Sequence, residues 1–145
     1  LPQLDVAPAT INVAMATDEE QPIGLLAVIN STITHCRTPG KLRFHVVVPA
    51  AQRKPLRLSL ETLFTKGSFH MYSLDTAGVR SKIQHHLHRR EKEAVYVSPF
   101  RFAVAYLPQL LPHVRRALWL HTDVLVQGDV GPLYRTPLRG APAAA

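Results

Sequence analysis

Short apolar runs alternate with amphipathic stretches through the first half of the chain. The apolar runs are bounded by turn or polar residues and predict strands at Ile11–Thr17, Leu42–Val48 and Ser68–Leu74. Between them, apolar residues recur at helical spacing and predict helices at Ile23–His35 and Pro55–Phe64. The order β-α-β-α-β indicates an α/β domain with a mostly parallel sheet and helices on both faces.

The second half of the chain has a less regular pattern. Arg80–Glu93 is polar nearly all round, so we expect a surface helix or a mobile loop there. Ser98 followed by Pro99 is typical of a helix start, and two prolines further on kink or shorten the helix that follows. A last strand is predicted at Ala117–Leu120.

Composition divides the chain into three regions. Residues 1–10 contain two prolines and no helical period, so we expect a leader or linker before a folded domain at residues 11–134. Residues 135–145 form a tail rich in proline and alanine. A chain of 145 residues can bury one core, and no apolar run approaches the ~20 residues of a membrane helix. We therefore expect no membrane segment in this chain.

The charge balance favours an anionic ligand. Seventeen Lys and Arg against ten Asp and Glu give a net charge of +7 with neutral histidines. The His85-His86-x-His88 cluster lies in a basic segment, and we interpret it as a solvated face. Because basic and aromatic residues are not interleaved, we expect no nucleic-acid partner. Cys36 is the only cysteine, which excludes an intrachain disulfide, and we expect it to be buried.

Polar residues follow the first predicted strand, at the edge where open parallel sheets bind ligands. Thr17, Asp18, Glu19 and Glu20 come directly after this strand and just before a helix. A nucleoside or its phosphates could lie there. The same residues could instead cap the helix and complement its dipole.

A second polar group follows the last predicted strand. His121, Thr122 and Asp123 lie in an extended run between two apolar stretches. Residues i and i+2 of a strand point to one face, so the imidazole of His121 and the carboxylate of Asp123 could converge on a divalent metal. The alternative is that the acid is only a turn or cap residue.

Motifs of other enzyme classes are missing from the sequence. It has neither a Gly-x-Gly-x-x-Gly nor a Walker-type loop, which argues against a dinucleotide oxidoreductase and a P-loop nucleotidase. It also lacks Gly-x-Ser-x-Gly, so hydrolase chemistry of that type has no nucleophile here.

Three stretches, in their order, resemble the N-terminal half of a glycosyltransferase family 8 domain. They are INVAMATDEEQPIGLLAVINSTITHC, KLRFHVVV and SPFRFAVAYLPQLLPHVRRALWLHTDVLVQGDVGPLY, and together they run from Ile11 to Tyr134. The strand-Thr-Asp opening, the Phe-His-Val-Val strand and the Leu-x-x-Asp-Val-Leu-Val-Gln-Gly-Asp stretch fall at the spacing of the family. The resemblance implies an incomplete GT-A, Rossmann-like fold.

The resemblance also implies an activity. Members of the family are hexosyltransferase-type enzymes that take a UDP-sugar with Mn²⁺ and transfer the sugar, with retention, to a glycan or polysaccharide acceptor. Many act in the Golgi or elsewhere in the secretory pathway. For this chain we therefore expect a UDP-sugar donor, a glycan acceptor and a divalent metal.

Individual residues can be matched to the family by position. Ala16, Thr17 and Asp18 would contact the uridine. The Asp-x-Asp metal motif of the family begins here at His121 and ends at Asp123, so Asp123 would bind the metal and the diphosphate, with His121 as a second ligand. Exchanging a carboxylate for a neutral imidazole should weaken Mn²⁺ binding. We predict no catalytic nucleophile.

Two further departures from the family pattern affect the expected activity. Many members have an arginine at the position of Val104, and Arg101 is three residues away, so the sequence predicts that a positive anchor for the donor is missing. The second half of the family domain, with a further metal-binding histidine and the acceptor site, is absent. We expect either a piece of a longer enzyme or a non-catalytic relative that acts as a binding module, with a basic nucleic-acid-binding domain as a weaker alternative.

Overall fold

The computed structural model describes residues 10–19, 22–86 and 98–143. Strands and helices alternate along the chain, as the hydrophobic pattern predicts. The elements are β1 (Ile11–Ala16), α1 (Ile23–His35), β2 (Leu42–Val47), α2 (Arg53–Leu63), β3 (Ser68–Tyr72), α3 (Thr76–His86), α4 (Ala103–Leu110), β4 (Leu118–Trp119) and α5 (Val130–Arg135).

The four strands form one parallel sheet in the order β3-β2-β1-β4. In the register of the two central strands, Ile11 lies opposite Leu42 and Ala16 opposite Val47. The chain builds outward from β1 to β3 and then returns to place β4 on the other side of β1. The strand order therefore reverses between β1 and β4, and the carboxyl ends of these strands flank the usual ligand position of such sheets.

Helices cover both faces of the sheet, which confirms the α/β prediction. On one face, α1, α2 and α5 pack on alternate strand residues such as Val13, Met15 and Phe44, all fully buried. On the other face, α3 and α4 bury a smaller cluster around Val47 and Ala103. Burial of this apolar area is the main contribution to the stability of the fold.

Prolines and a capping serine determine where several helices begin and end. α1 has the predicted bounds, whereas α2 begins two residues earlier than predicted, because a proline is tolerated in the first turn of a helix. Ser98 caps the predicted helix start, since its Oγ accepts from the backbone N–H of Phe100 at 3.2 Å. A 3₁₀ turn at Pro99–Phe102 leads into α4, which contains Pro108 and ends before the next proline.

The polar segment predicted at residues 80–93 is helical where the structure describes it. α3 covers its first part and begins earlier, at Thr76, where the side chain of Asp75 accepts from the N–H of Gly78 at 3.1 Å. Residues 87–97 and the side chains of the histidine cluster lie outside the described residues. In the part of the chain that the structure describes, none of the helices combines the length and apolar character needed to cross a membrane.

Cys36 is buried, as expected, and burial raises the pKa of its thiol. A protonated thiol is a poor nucleophile. Cys36 is therefore a packing residue of the main core cluster and does not contribute to the site described below.

A partly buried chain of polar side chains links β1, β2 and β3. His45 is held by the hydroxyl of Tyr72, which donates to Nδ1, and by Oδ1 of Asn12, which accepts from Nε2, each at 3.0 Å. Asn12 in turn donates to the hydroxyl of Tyr134 at 3.0 Å. The neutral imidazole satisfies both partners, and burial, followed by the charges of His70 and Arg43, lowers the pKa of His45 to about 4.

We expect acid to destabilise the fold through His45. Because the pKa is about 4 in the folded state and 6.5 unfolded, the unfolded chain binds the proton more tightly between these values. The contribution is present above pH 6.5 and is lost as the pH falls towards 4, by about 2 kcal/mol between pH 7 and pH 5. Urea unfolding at both pH values checks this, with His45→Gln as a variant that hydrogen-bonds but does not titrate. An equal pH dependence in the variant would contradict the prediction.

Candidate functional site

A cleft of about 600 Å³ opens at the carboxyl ends of β1 and β4. This volume falls in the range of small-molecule sites. The residues that follow both strands and the turn that precedes α4 line it: Ala16, Thr17, Asp18, Glu19, Ser98, Phe100, Arg101, Trp119, His121, Thr122 and Asp123.

The structure brings the predicted site residues to this cleft, except for Glu20, which lies outside the described residues. Ala16 and the two residues after it come from the end of β1, and the segment from His121 to Asp123 follows β4. Trp119 lies opposite Ala14 in the parallel register, so the residues after it reach the level of the end of β1. The sequence places Asp18 and Asp123 more than 100 residues apart, and the sheet topology joins them.

Hydrogen bonds fix the segment after β1. The N–H of Thr17 continues the strand pairing by donating to the carbonyl of Val47 at 3.0 Å, and its buried Oγ1 accepts from the N–H of Glu19 at 3.2 Å. This turn leaves Asp18 exposed at the cleft, where its Oδ2 accepts a short hydrogen bond from the hydroxyl of Ser98. Ser98 thus caps the helix start and ties it to the end of β1.

The segment after β4 differs from the prediction. β4 ends at Trp119, and Thr122 and Asp123 lie in a turn, so the argument that His121 and Asp123 share one face of a strand is wrong. Close packing against α1 explains the turn. A Cβ on Gly24, in the first turn of α1, would overlap the carbonyl oxygen of Thr122.

A second contact with α1 holds the chain beyond this turn. The N–H of Val126 donates to Oγ of Ser31 at 3.1 Å, and the same hydroxyl donates to the carbonyl of Val28 at 3.1 Å. The turn that carries the predicted metal ligands is therefore held between β4 and two positions on α1.

Arg101 brings a positive charge to the lining of the cleft, and the expectation that the donor lacks an anchor at the position of Val104 stays a prediction. Arg101 lines the cleft, whereas Val104 is 45% exposed and does not. The prediction compared the two positions on an α-helix, but Arg101 lies in the 3₁₀ turn at Pro99–Phe102, which reaches the cleft directly. Sequence reasoning missed four lining residues: Ser98, Phe100, Arg101 and Trp119. The Ser98-Pro99 helix start, close to the sheet edge, was the available signal.

The charges that line the cleft favour a cation. Among the described lining residues, Asp18, Glu19 and Asp123 bring three carboxylates against one guanidinium, that of Arg101. An anionic ligand such as a diphosphate would be repelled unless a cation accompanied it.

The residues present fit part of a metal site. His121 and Asp123 offer an imidazole and a carboxylate, two donors that divalent metals accept. Within residues 10–19, 22–86 and 98–143, no group of three or more His, Cys, Asp or Glu side chains could hold a metal ion. Oxygens of a bound ligand or water would have to complete the coordination.

A parallel sheet with a cleft where its strand order reverses defines a Rossmann-like α/β domain, and solved structures identify the variant as GT-A. The apo structure of the WbbM bifunctional glycosyltransferase matches 92% of this chain and 22% of its own, with a TM-score of 0.63 and 22% identity. Mouse xyloside xylosyltransferase 1 matches 86% of this chain and 47% of its own, with a TM-score of 0.62 and 15% identity.

The chain belongs to glycosyl transferase family 8, whose family model matches residues 12–145. Probable galacturonosyltransferase-like 3 of Arabidopsis thaliana is 32% identical over 140 residues, which are 93% of this chain and 39% of the relative. Glycosyltransferase 8 domain-containing protein 1 of Xenopus tropicalis is 34% identical over 128 residues, which are 88% of this chain and 33% of the relative. The chain therefore spans between a third and two fifths of these curated relatives.

Proposed function

We propose that this chain is the donor-binding part of a glycosyltransferase that uses a UDP-sugar and a divalent metal and transfers the sugar with retention. The observation that carries the proposal is the meeting of Asp18 and Asp123 in one cleft where the strand order reverses. Family membership supports sugar transfer as the reaction class.

The uridine is assigned to the end of β1. Uracil presents one N–H donor between two carbonyl acceptors, so it needs both an acceptor and donors from the protein. Asp18 has an acceptor to spare, because Ser98 occupies only its Oδ2 and a carboxylate has about four acceptor positions. Ala16 and Thr17 form the adjoining wall of the cleft.

The diphosphate is assigned to the turn after β4. Asp123 would hold the metal, Mn²⁺ by analogy with the family, and His121 would be a second and weaker ligand. When bound, the ion supplies positive charge that stabilises the leaving diphosphate. Arg101 lines the same cleft and would add to this charge, while the negative charge of the lining carboxylates favours a bound cation beside the diphosphate.

The acceptor is assigned by family alone to a glycan or polysaccharide. We assign no catalytic nucleophile. The family favours the secretory pathway, with the Golgi as the proposed compartment.

A second candidate is a non-catalytic binding module. This candidate is favoured because the first position of the metal motif is occupied by His121. The imidazole of His121 accepts a hydrogen bond from Nε1 of Trp119 at 3.3 Å. Absence of UDP binding in the parent protein, and its appearance in a His121→Asp variant, would favour this candidate over the enzyme.

UDP together with Mn²⁺ is expected to raise the melting temperature of the chain. A ligand at a hundredfold excess over its Kd stabilises the folded state by about 2.7 kcal/mol, which is a rise of roughly 5–10 °C for a domain of this size. Differential scanning fluorimetry with UDP alone, Mn²⁺ alone and both together measures it. UMP with Mn²⁺ is the matched control for the second phosphate. A rise with UDP alone that Mn²⁺ does not increase would contradict the metal-dependent site.

A further inference from the structure

Trp119 and His121 form a pair at the wall of the cleft. The indole Nε1 donates a hydrogen bond to Nε2 of His121 at 3.3 Å. The two ring centroids are 5.8 Å apart and the planes are nearly perpendicular, at 85°. The indole N–H is therefore directed at Nε2 of His121, the nitrogen that carries a lone pair when the ring proton is on Nδ1.

We propose that Trp119 is a positioning residue that holds the one free lone pair of His121 and so competes with a cation for this ligand. The inference rests on the proposed function, in which His121 is the second metal ligand. It adds a specific reason, beyond the change from carboxylate to imidazole, for weak metal binding at this motif.

The competition follows from the donor and acceptor chemistry of the two rings. A neutral imidazole has one N–H and one lone pair, and the indole N–H can only donate. With Nε2 accepting from Trp119, the proton of His121 lies on Nδ1. A metal on Nε2 would displace the indole directly. A metal on Nδ1 would move the proton to Nε2, where it would face the indole N–H. Either way, the Trp119–His121 bond must break.

His121 is the partner that is free to move. Trp119 is half-buried, pairs with Ala14 in the sheet and packs against the smaller core cluster around Val47 and Ala103. His121, in contrast, is exposed. The carboxylate of Asp123 is exposed and accepts no hydrogen bond from the described residues. Rotation of His121 away from Trp119 is therefore the rearrangement that frees its lone pair.

The first test needs neither metal nor variant. The ¹⁵N chemical shifts of His121 in the unliganded 145-residue chain at pH 8 report which ring nitrogen carries the proton. We expect the Nδ1–H form in the parent protein and a loss of this preference in Trp119→Phe, which keeps an aromatic ring but removes the donor. The Nε2–H form in the parent protein would overturn the inference, even if the variant failed to fold.

The second test measures Mn²⁺ affinity by isothermal titration calorimetry in four proteins: the parent, Trp119→Phe, His121→Ala and the double variant. We expect Trp119→Phe to tighten Mn²⁺ binding about fivefold where His121 is present and to have no effect in the His121→Ala background. An effect that is the same in both backgrounds would show a structural role for Trp119 and would overturn the inference.

The two proposals fail in different ways. Equal Mn²⁺ affinity in the parent and in Trp119→Phe, with UDP still bound, would overturn the role of Trp119 and leave the proposed function standing. If none of the four proteins binds Mn²⁺ or UDP, the proposed function fails. If the Nδ1–H form of His121 nevertheless depends on Trp119, the hydrogen bond from Trp119 to the His121 lone pair is supported.

Discussion

Replacing Gly24 with alanine is expected to destabilise the fold by about 2–3 kcal/mol and to weaken binding of UDP with Mn²⁺. The added Cβ would overlap the carbonyl oxygen of Thr122, which is backbone and cannot rotate away as a side chain would. In a helix interior, alanine stabilises the fold by up to about 1 kcal/mol relative to glycine, and by less in a first turn. The cost of the overlap is larger, so the net effect of Gly24→Ala on the free energy of unfolding is destabilising. The turn from His121 to Asp123 would have to shift, and with it both predicted metal ligands.

Gly40→Ala is the matched control, because a Cβ at Gly40 would have nothing within 4 Å. Its free energy of unfolding should stay within about 0.5 kcal/mol of the parent. Urea unfolding and calorimetric UDP titration of both variants separate the effects on stability and on the site. An unchanged stability and UDP affinity in Gly24→Ala would mean that the turn is not held by α1.

The elements that the sequence predicts best are those whose apolar residues follow a single regular spacing from end to end. α1 has the predicted bounds because its buried residues, including Leu25 and Ile29, recur at helical spacing and nothing else competes for them. The cleft could also be located, because the rule that ligands bind at the carboxyl ends of strands needs only the strand order and the polar residues Asp18 and Asp123.

What the sequence could not predict depends on contacts between distant residues. The turn at Thr122 results from the approach of Gly24, almost a hundred residues earlier. The bond between Ser98 and Asp18 spans 80 residues and changes the surroundings of a carboxylate that looks free in the sequence. The position of Arg101 at the cleft could not be predicted, because the sequence pattern does not distinguish a 3₁₀ turn from the first turn of an α-helix.

These contacts also show how the two halves of the cleft depend on different elements. Ser98 links the proposed uridine side to the 3₁₀ turn that precedes α4, and Gly24 packs the proposed metal side against the start of α1. A variant at one side should therefore leave the other side folded. This separation makes it possible to remove the proposed metal ligand without disturbing the rest of the cleft.

Asp123→Asn is expected to abolish the rise in melting temperature that UDP and Mn²⁺ produce. The substitution keeps the shape of the side chain and removes the anionic oxygen that Mn²⁺ prefers, and a lone imidazole at His121 cannot hold the ion. The unliganded protein should keep its stability within about 0.5 kcal/mol, because Asp123 is exposed and forms no ion pair or hydrogen bond with the described residues.

Glu61→Gln is the control for the loss of one negative charge. Glu61 lies on α2, where it forms an exposed pair with Arg57 at 2.8 Å and takes no part in lining the cleft. Its variant should show the full ligand-dependent rise. An identical rise in Asp123→Asn would remove Asp123 from the site. Since Asp123 is the only carboxylate in the segment after β4 that lines the cleft, that result would leave the diphosphate without a metal partner on this side of the sheet.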